Sequence, residues 1–199
     1  VADKSQHEVA SLRKWEAHMV RIIPLKQNEA PEEVRTQIQA ADDVFGVQSV
    51  SAGIQAYCPP ILNASRVLSA APNESNQLSA ELRSLVCMRA AQIVLCPFWI
   101  DSNAAGSSKS GSSDEKIAAV SAWRTSSIFS REEKAAFELV EAMTQTPADI
   151  SEEVFSNLKL LFNNEQIVEL VATIAMENYR SRFNRAFLIE SQGIYKSKT

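Results

Sequence analysis

The sequence predicts an all-α protein of one domain. Only five glycines interrupt 199 residues, and no sustained apolar–polar alternation marks a strand. Apolar residues recur instead at helical spacing between capping signals. A first helix is expected over 5–19, with Val9, Leu12, Trp15 and Met19 at helical spacing, and a second over 31–45. Gly46 and Gly53 punctuate a short segment. Pro59-Pro60 opens a helix to about Ala70, because proline at the first turn loses no hydrogen bond. The stretch 72–77 reads as a loop. A long helix over 79–95 sets Leu82, Leu85, Val86, Arg89, Ile93 and Cys96 near one stripe. The helix opened by Pro97 ends in the Ser/Gly stretch 106–113. Ser112 with Glu115 matches a capping box for a helix to Trp123, and Ser130 with Glu133 matches another for a helix to about Thr144. Ser151 caps a helix to Phe162. The last helix, from Glu165 to about Glu190, carries Ile167, Leu170, Val171, Ile174, Met176, Phe183 and Phe187.

Composition bounds the function. The chain is long enough for a large core. Its 45% hydrophobic and 22% charged residues are ordinary for a globular domain. A net charge of −4 without a dense Lys/Arg cluster disfavours nucleic acid and anionic membrane as partners. The longest apolar run, Ile93 to Ile100, is too short to span a bilayer. Three cysteines are too few, and odd in number, for a disulfide scaffold. Reduced thiols and a cytoplasmic setting are the expectation.

The most informative stretch is Leu95-Cys96-Pro97-Phe98-Trp99-Ile100-Asp101-Ser102-Asn103. It has the frame Cys-x-x-Cys-x-x-x-His, but only the first reactive position is filled. Trp99 stands at the second cysteine position and Asn103 at the histidine position. If a helix begins at Pro97, Cys96 lies at its cap and Trp99, Ile100 and Asn103 share a face with it. A thiol there feels the positive end of the helix dipole, which favours thiolate. Asp101 points about 140° away at roughly 100° per residue and is discounted as a partner. Taken alone, the segment also fits a buried structural cysteine beside a packed tryptophan.

Other motifs dissolve on inspection. Gly106 to Gly111 spans G-x-x-x-x-G, but Ser112 stands where a phosphate loop needs lysine, and no strand precedes it. Ser113 to Lys116 fits S-x-x-K within a helix cap. His7 and His18, the only histidines, give no metal site with cysteine spacing. Asn63-Ala64-Ser65 and Asn73-Glu74-Ser75 are chance-level glycosylation matches. Arg180, Arg182 and Arg185 read as a solvated helix face, with an anion site or subunit contact as the alternative.

Several segments together resemble the carboxymuconolactone decarboxylase and alkylhydroperoxidase D-like (AhpD-like) family. They are Arg21-Ile22-Ile23-Pro24-Leu25 with the helix start at Pro31; Leu82 through Arg89 and Gln92 into Cys96 to Asp101; Ala122-Trp123-Arg124 leading to Phe129 to Ala136; and Ile174 to Tyr179 with Phe183-Asn184-Arg185. The resemblance divides the chain into an N-terminal helical extension (1–20), the family domain (21–193) and a tail (194–199). It implies an all-helical AhpD-like fold and a homo-oligomer.

In the family's redox branch a cysteine pair, a glutamate and a histidine form a peroxide-reducing relay. Carried over by position, the glutamate falls on Ser84, the resolving cysteine on Cys96, the attacking cysteine on Trp99 and the histidine on Asn103. The expected function is therefore that of a relative without the peroxidatic cysteine. It would act on a small organic metabolite by proton transfer, such as decarboxylation or isomerisation. Cys96 or Asn103 would polarise the substrate, with Ser84, Arg89, Gln92 and Trp99 in the pocket. Two alternatives stand beside it: a non-catalytic ligand- or partner-binding homologue, and a residual single-cysteine thiol peroxidase working through Cys96. No cofactor or metal is expected. The expected partners are a small molecule and further copies of the chain, with neither nucleic acid nor membrane.

Overall fold

A computed structural model describes residues 20–197. Among them are nine α-helices and no strand. A 3-10 turn, Glu32–Val34, leads into α1 (Arg35–Phe45), and α2 (Val50–Gln55), α3 (Pro59–Ser75), α4 (Ala80–Val94) and α5 (Pro97–Lys109) follow. Then come α6 (Asp114–Ala119), α7 (Arg131–Thr144), α8 (Glu152–Leu161) and α9 (Asn164–Ala186). The helix expected over 5–19 lies outside the described residues.

Local signals set most boundaries. Gly46 ends α1 in the left-handed region at φ +69°, where a side chain would be strained. Ser49, Ser79, Ser130 and Ser151 each accept a backbone N–H at a helix start. The Ser130–Glu133 capping box forms as expected, and Asn163 with Gln166 forms a second at the head of α9.

Several boundaries differ from expectation: the helix expected to Trp123 ends at Ala119 before a 3-10 turn, and the last helix stops at Ala186 rather than near Glu190. The punctuated segment after Gly46 is a wholly buried short helix, α2. The stretch 72–77 is not all loop: α3 runs through Pro72 to Ser75. Proline there removes one N–H, but its ring is buried, and the N–H of Asn76 closes on the Pro72 carbonyl at 3.0 Å. The motif helix continues past Gly106 to Lys109. Ser113, not Ser112, caps α6, because the Ser112 hydroxyl donates to Glu81 at 2.8 Å.

Helix α4 is the hub, packed on α5, α9 and α7. One core region joins Leu82, Val86 and Ala90 of α4 to Leu139, Leu158, Leu170 and Ile174. A second gathers Leu85, Met88, Trp123, Phe129 and Phe137, and a third holds Val34, Ile38, Ala41 and Leu62. Each fully buried large apolar side chain contributes about 1.5–3 kcal/mol. Leu95, left-handed at φ +58°, turns the chain sharply from α4 into α5. Gly106 lets those two helices approach, since a Cβ there would stand 3.0 Å from Ser84 Oγ.

After α9 the chain crosses α5 without regular structure. Asp101 holds it by accepting the backbone N–H groups of Ile194 at 2.8 Å and Tyr195 at 2.7 Å, with the Ser191 hydroxyl at 2.8 Å. Asp101 thus points away from Cys96's partners, as the helical angle predicts, and its work is to anchor the chain end.

Candidate functional site

Cys96 is the cap residue of α5, and Pro97 occupies the first turn. The site predicted from sequence begins there, but its thiol is fully buried among Val50, Ile54, Phe98 and Ile189. Burial pushes the thiol above its ordinary range, although the Trp99 N–H and the Ser181 hydroxyl pull the other way. Desolvation outweighs the helix dipole. Of the two readings of this segment, the buried structural cysteine beside a packed tryptophan is the one observed, and the thiolate that the helix dipole alone would favour is not.

One turn on, Trp99 and Asn103 meet a polar cluster from α9. Glu177 is fully buried. Its Oε2 accepts from Arg180 Nε at 2.7 Å and Nη2 at 2.6 Å, and from Asn103 Nδ2 at 3.3 Å. Its Oε1 accepts from Ser181 Oγ at 2.6 Å. Burial holds the Glu177 carboxyl above the ordinary glutamate range, against the pull of Arg180, Ser181 and Asn103. Burial also opposes the Arg180 charge, but Glu177 keeps that guanidinium firmly protonated. The guanidinium lies over the Trp99 ring at 4.0 Å, a cation–π contact strengthened by exclusion of water. Arg180 Nη2 also reaches Cys87 Sγ at 3.5 Å. Burial pushes the Cys87 thiol up to about 12, with Arg180 offsetting part of the effect.

Arg180 thus leaves the solvated face on which its sequence neighbours placed it. Its side chain is 13% exposed, whereas Arg182 and Arg185 are exposed. Glu177 and Arg180 are the residues that sequence reasoning missed. A signal existed: Glu177, Ser181 and Asn184 follow Ile174 on its apolar stripe at i+3, i+7 and i+10, and all three are buried. Polar residues on a core-facing stripe need partners.

Trp99, Asn103 and Arg180 line a cavity of about 460 Å³ bounded by α1, α2, α3 and α5. Phe45, Leu62 and Ile194 add apolar wall, and Ser84 faces it beside Gly106. Two buried polar atoms of lining residues, Gln55 Oε1 and Trp99 Nε1, have no hydrogen-bond partner among the described residues. Of the predicted site residues, Ser84, Trp99 and Asn103 therefore converge, and Cys96 lies in the adjoining core. Arg89 and Gln92 do not join them. Glu141 draws Arg89 away to α7, with contacts of 2.6 and 3.1 Å. Gln92 bonds Arg89 and borders a separate hollow with Leu95 and Pro97.

Residues 64–142 match the model of the carboxymuconolactone decarboxylase family. The chain belongs to that family. A protein of Escherichia coli (strain K12), YnjA, is 37% identical over 117 residues, covering 59% of this chain and 64% of the relative. The chain thus spans less than two thirds of that relative's length. The debrominase Bmp8 superposes with a TM-score of 0.79 at 19% identity, covering 87% of this chain and 93% of the other. A cysteine-to-alanine variant of Bmp8 is known in complex with 2,3,4-tribromopyrrole. A protein of unknown function from Agrobacterium tumefaciens, linked to AhpD-type antioxidant defence, superposes at 0.66 with 25% identity over 69% of this chain and 94% of the other. The AhpD-like helical fold expected from sequence is the fold observed.

Proposed function

We propose that the cavity binds a small organic molecule and that the protein acts on it by proton transfer, not by thiol–disulfide exchange. One observation carries this reading. The second thiol position is Trp99, which walls a cavity and bears a guanidinium on its face, while both neighbouring thiols are withdrawn into the core. Arg180 and Asn103 supply donors that would polarise a carbonyl. Glu177 stands directly behind them as the group with raised proton affinity. Bmp8, which shares the fold, is known in complex with 2,3,4-tribromopyrrole, itself a small organic molecule.

A second reading, binding without turnover, is favoured by a separate observation: Glu177 is wholly enclosed and both its oxygens are engaged. Turnover separates the two. Incubation with a panel of small carboxylic acids, lactones and keto acids, followed by NMR, should show consumption that Asn103→Ala reduces and Cys96→Ser spares. Saturable binding with no product would establish the second reading. Saturable peroxide consumption that Cys96→Ser abolishes would overturn both.

A further inference from the structure

We infer that the ligand of this cavity is an elongated amphipathic anion, a carboxylate with an apolar tail, held head-first between Arg66 and Lys109 with its tail against Trp99 and Phe45. The inference rests on the reading that the cavity takes a small organic molecule, and adds the chemical class.

Charge is the first support. Among the described residues three cations, Arg66, Lys109 and Arg180, line the cavity, and no Asp or Glu does. That is a marked local imbalance in a chain of net charge −4. Glu177 neutralises Arg180 from behind. Neither Arg66 nor Lys109 has an ion pair or side-chain hydrogen bond among the described residues. The half-buried Arg66 is a guanidinium facing a cavity to which the described residues bring no counter-ion. Such groups recognise carboxylates by two parallel N–H bonds. Lys109 sits in the last turn of α5, where the dipole also favours it. That local preference does not account for Arg66 on the opposite wall.

Shape is the second support. Asn103 of α5 bonds Glu177, and Cys96, earlier in α5, meets Ser181, later in α9. Helix α5 therefore runs antiparallel to α9. Late α3 residues Leu68, Pro72 and Ser75 lie against Asn164 and Val168 at the start of α9. Ser51 of α2, the helix that leads into α3, bonds Asn184 near the end of α9. Helix α3 is thus also antiparallel to α9, so α3 and α5 run the same way and form a trough. Trp99 and Lys109 are ten residues apart on one wall, about 15 Å at about 1.5 Å per residue. The Trp99 end is mixed: Phe45 and Ile194 give it apolar wall, while Asn103 lines it and the Arg180 guanidinium lies on the Trp99 ring. The late end is polar, with Ser69, Asn73 and Lys109, and Arg66 stands one turn beyond Leu62.

Unpaired polarity is the third support. Buried Gln55 Oε1 and Trp99 Nε1 offer an acceptor and a donor at the Trp99 end, which suits a tail carrying one heteroatom group better than plain hydrocarbon.

The test is calorimetric titration of the full chain with benzoate, cinnamate and hexanoate, each against its primary amide. The carboxylates should bind about tenfold tighter than the amides, with that margin shrinking in high salt. Cinnamate should exceed benzoate because it reaches further along the trough. The double variant Arg66→Gln, Lys109→Gln should erase the acid preference by weakening the acids far more than the amides. Equal binding of acid and amide, or a preference that survives the double variant, would refute the anion and leave the cavity reading standing. No binding by any of the six compounds would sink the cavity reading itself. Salt dependence in the unmodified protein checks the same point without relying on the variant's fold.

Discussion

Glu177 brings a carboxylate into the middle of a helical core, and its worth lies in its partners. A buried ion pair roughly balances desolvation against attraction, but removing one member leaves the other uncompensated. Glu177→Ala should therefore cost about 3–5 kcal/mol in urea unfolding, and Arg180→Ala a similar amount. The double variant should cost clearly less than the sum; additive losses would show that the pair is not a unit. The thiols make a second residue-scale prediction. Cys58 is exposed, whereas Cys87 and Cys96 are buried. A thiol reagent should label one cysteine quickly in the native protein and all three after denaturation. Cys87 has its ordinary value of 9.0 in an unfolded chain and about 12 in the fold. Above 9.0 the unfolded state loses a proton that the folded state keeps. Stability is thus fully present below that pH and declines as pH rises towards 12, by up to about 1.4 kcal/mol per unit from this group. Unfolding midpoints measured from pH 8 to 10.5 should fall, and Cys87→Ala should flatten that fall. Sequence reasoning placed Cys96 at its cap and Trp99 with Asn103 on one face, because those relations are local. It missed Glu177 and Arg180 because, although they pair with each other three residues apart, the groups that tie the pair to α5 and α4, Asn103 and Cys87, lie 74 and 93 residues away.

Helices were legible where their signals were local. Ser130–Glu133, Ser79, Ser151 and Gly46 each mark a boundary by chemistry within one turn. Ser130→Ala should therefore cost about 1 kcal/mol. Loss of the same size at Ser113, with a different cause at Ser112, would confirm which serine caps α6. The Pro72 boundary failed because tertiary burial of the ring, invisible in a local pattern, outweighs one missing hydrogen bond. Close helix contacts were equally hidden. A Cβ at Gly53 would lie 2.6 Å from the Leu25 carbonyl oxygen and 2.8 Å from Pro24 Cβ. Alanine at this position gains about 1 kcal/mol in helix preference but collides with backbone that has nowhere to go. Gly53→Ala should lose about 2 kcal/mol net; a stabilised variant would show that the 24–25 segment is not seated on α2.

At the scale of the molecule, a large part of the apolar surface is outward. Val67, Leu68 and Val168 are 73%, 46% and 69% exposed, and Leu68 and Val168 flank one groove between α3 and α9 with Ala71, Pro72 and Ala172. We propose that copies of the chain associate through this face, as the family resemblance implies. Light scattering should return a multiple of the 22.0 kDa chain, and Val168→Glu should lower it; a monomer mass at high micromolar concentration would end the idea. Among the described residues no helix is long and apolar enough to cross a membrane. The overall fold class was legible because helical spacing is written along every element. The cavity was not, because it is assembled from α1, α2, α3 and α5, which no local pattern relates. The chain end that crosses α5 has its own consequence. Asp101 grips it by the main-chain N–H of residues 194 and 195, and a peptide N–H is the same in every residue except proline. The residue whose side chain walls the cavity, Ile194, also packs on the core of Val50, Ile54, Phe98 and Ile189. Another apolar side chain there would reshape the cavity wall while the main-chain anchor holds, whereas proline would remove the anchor itself.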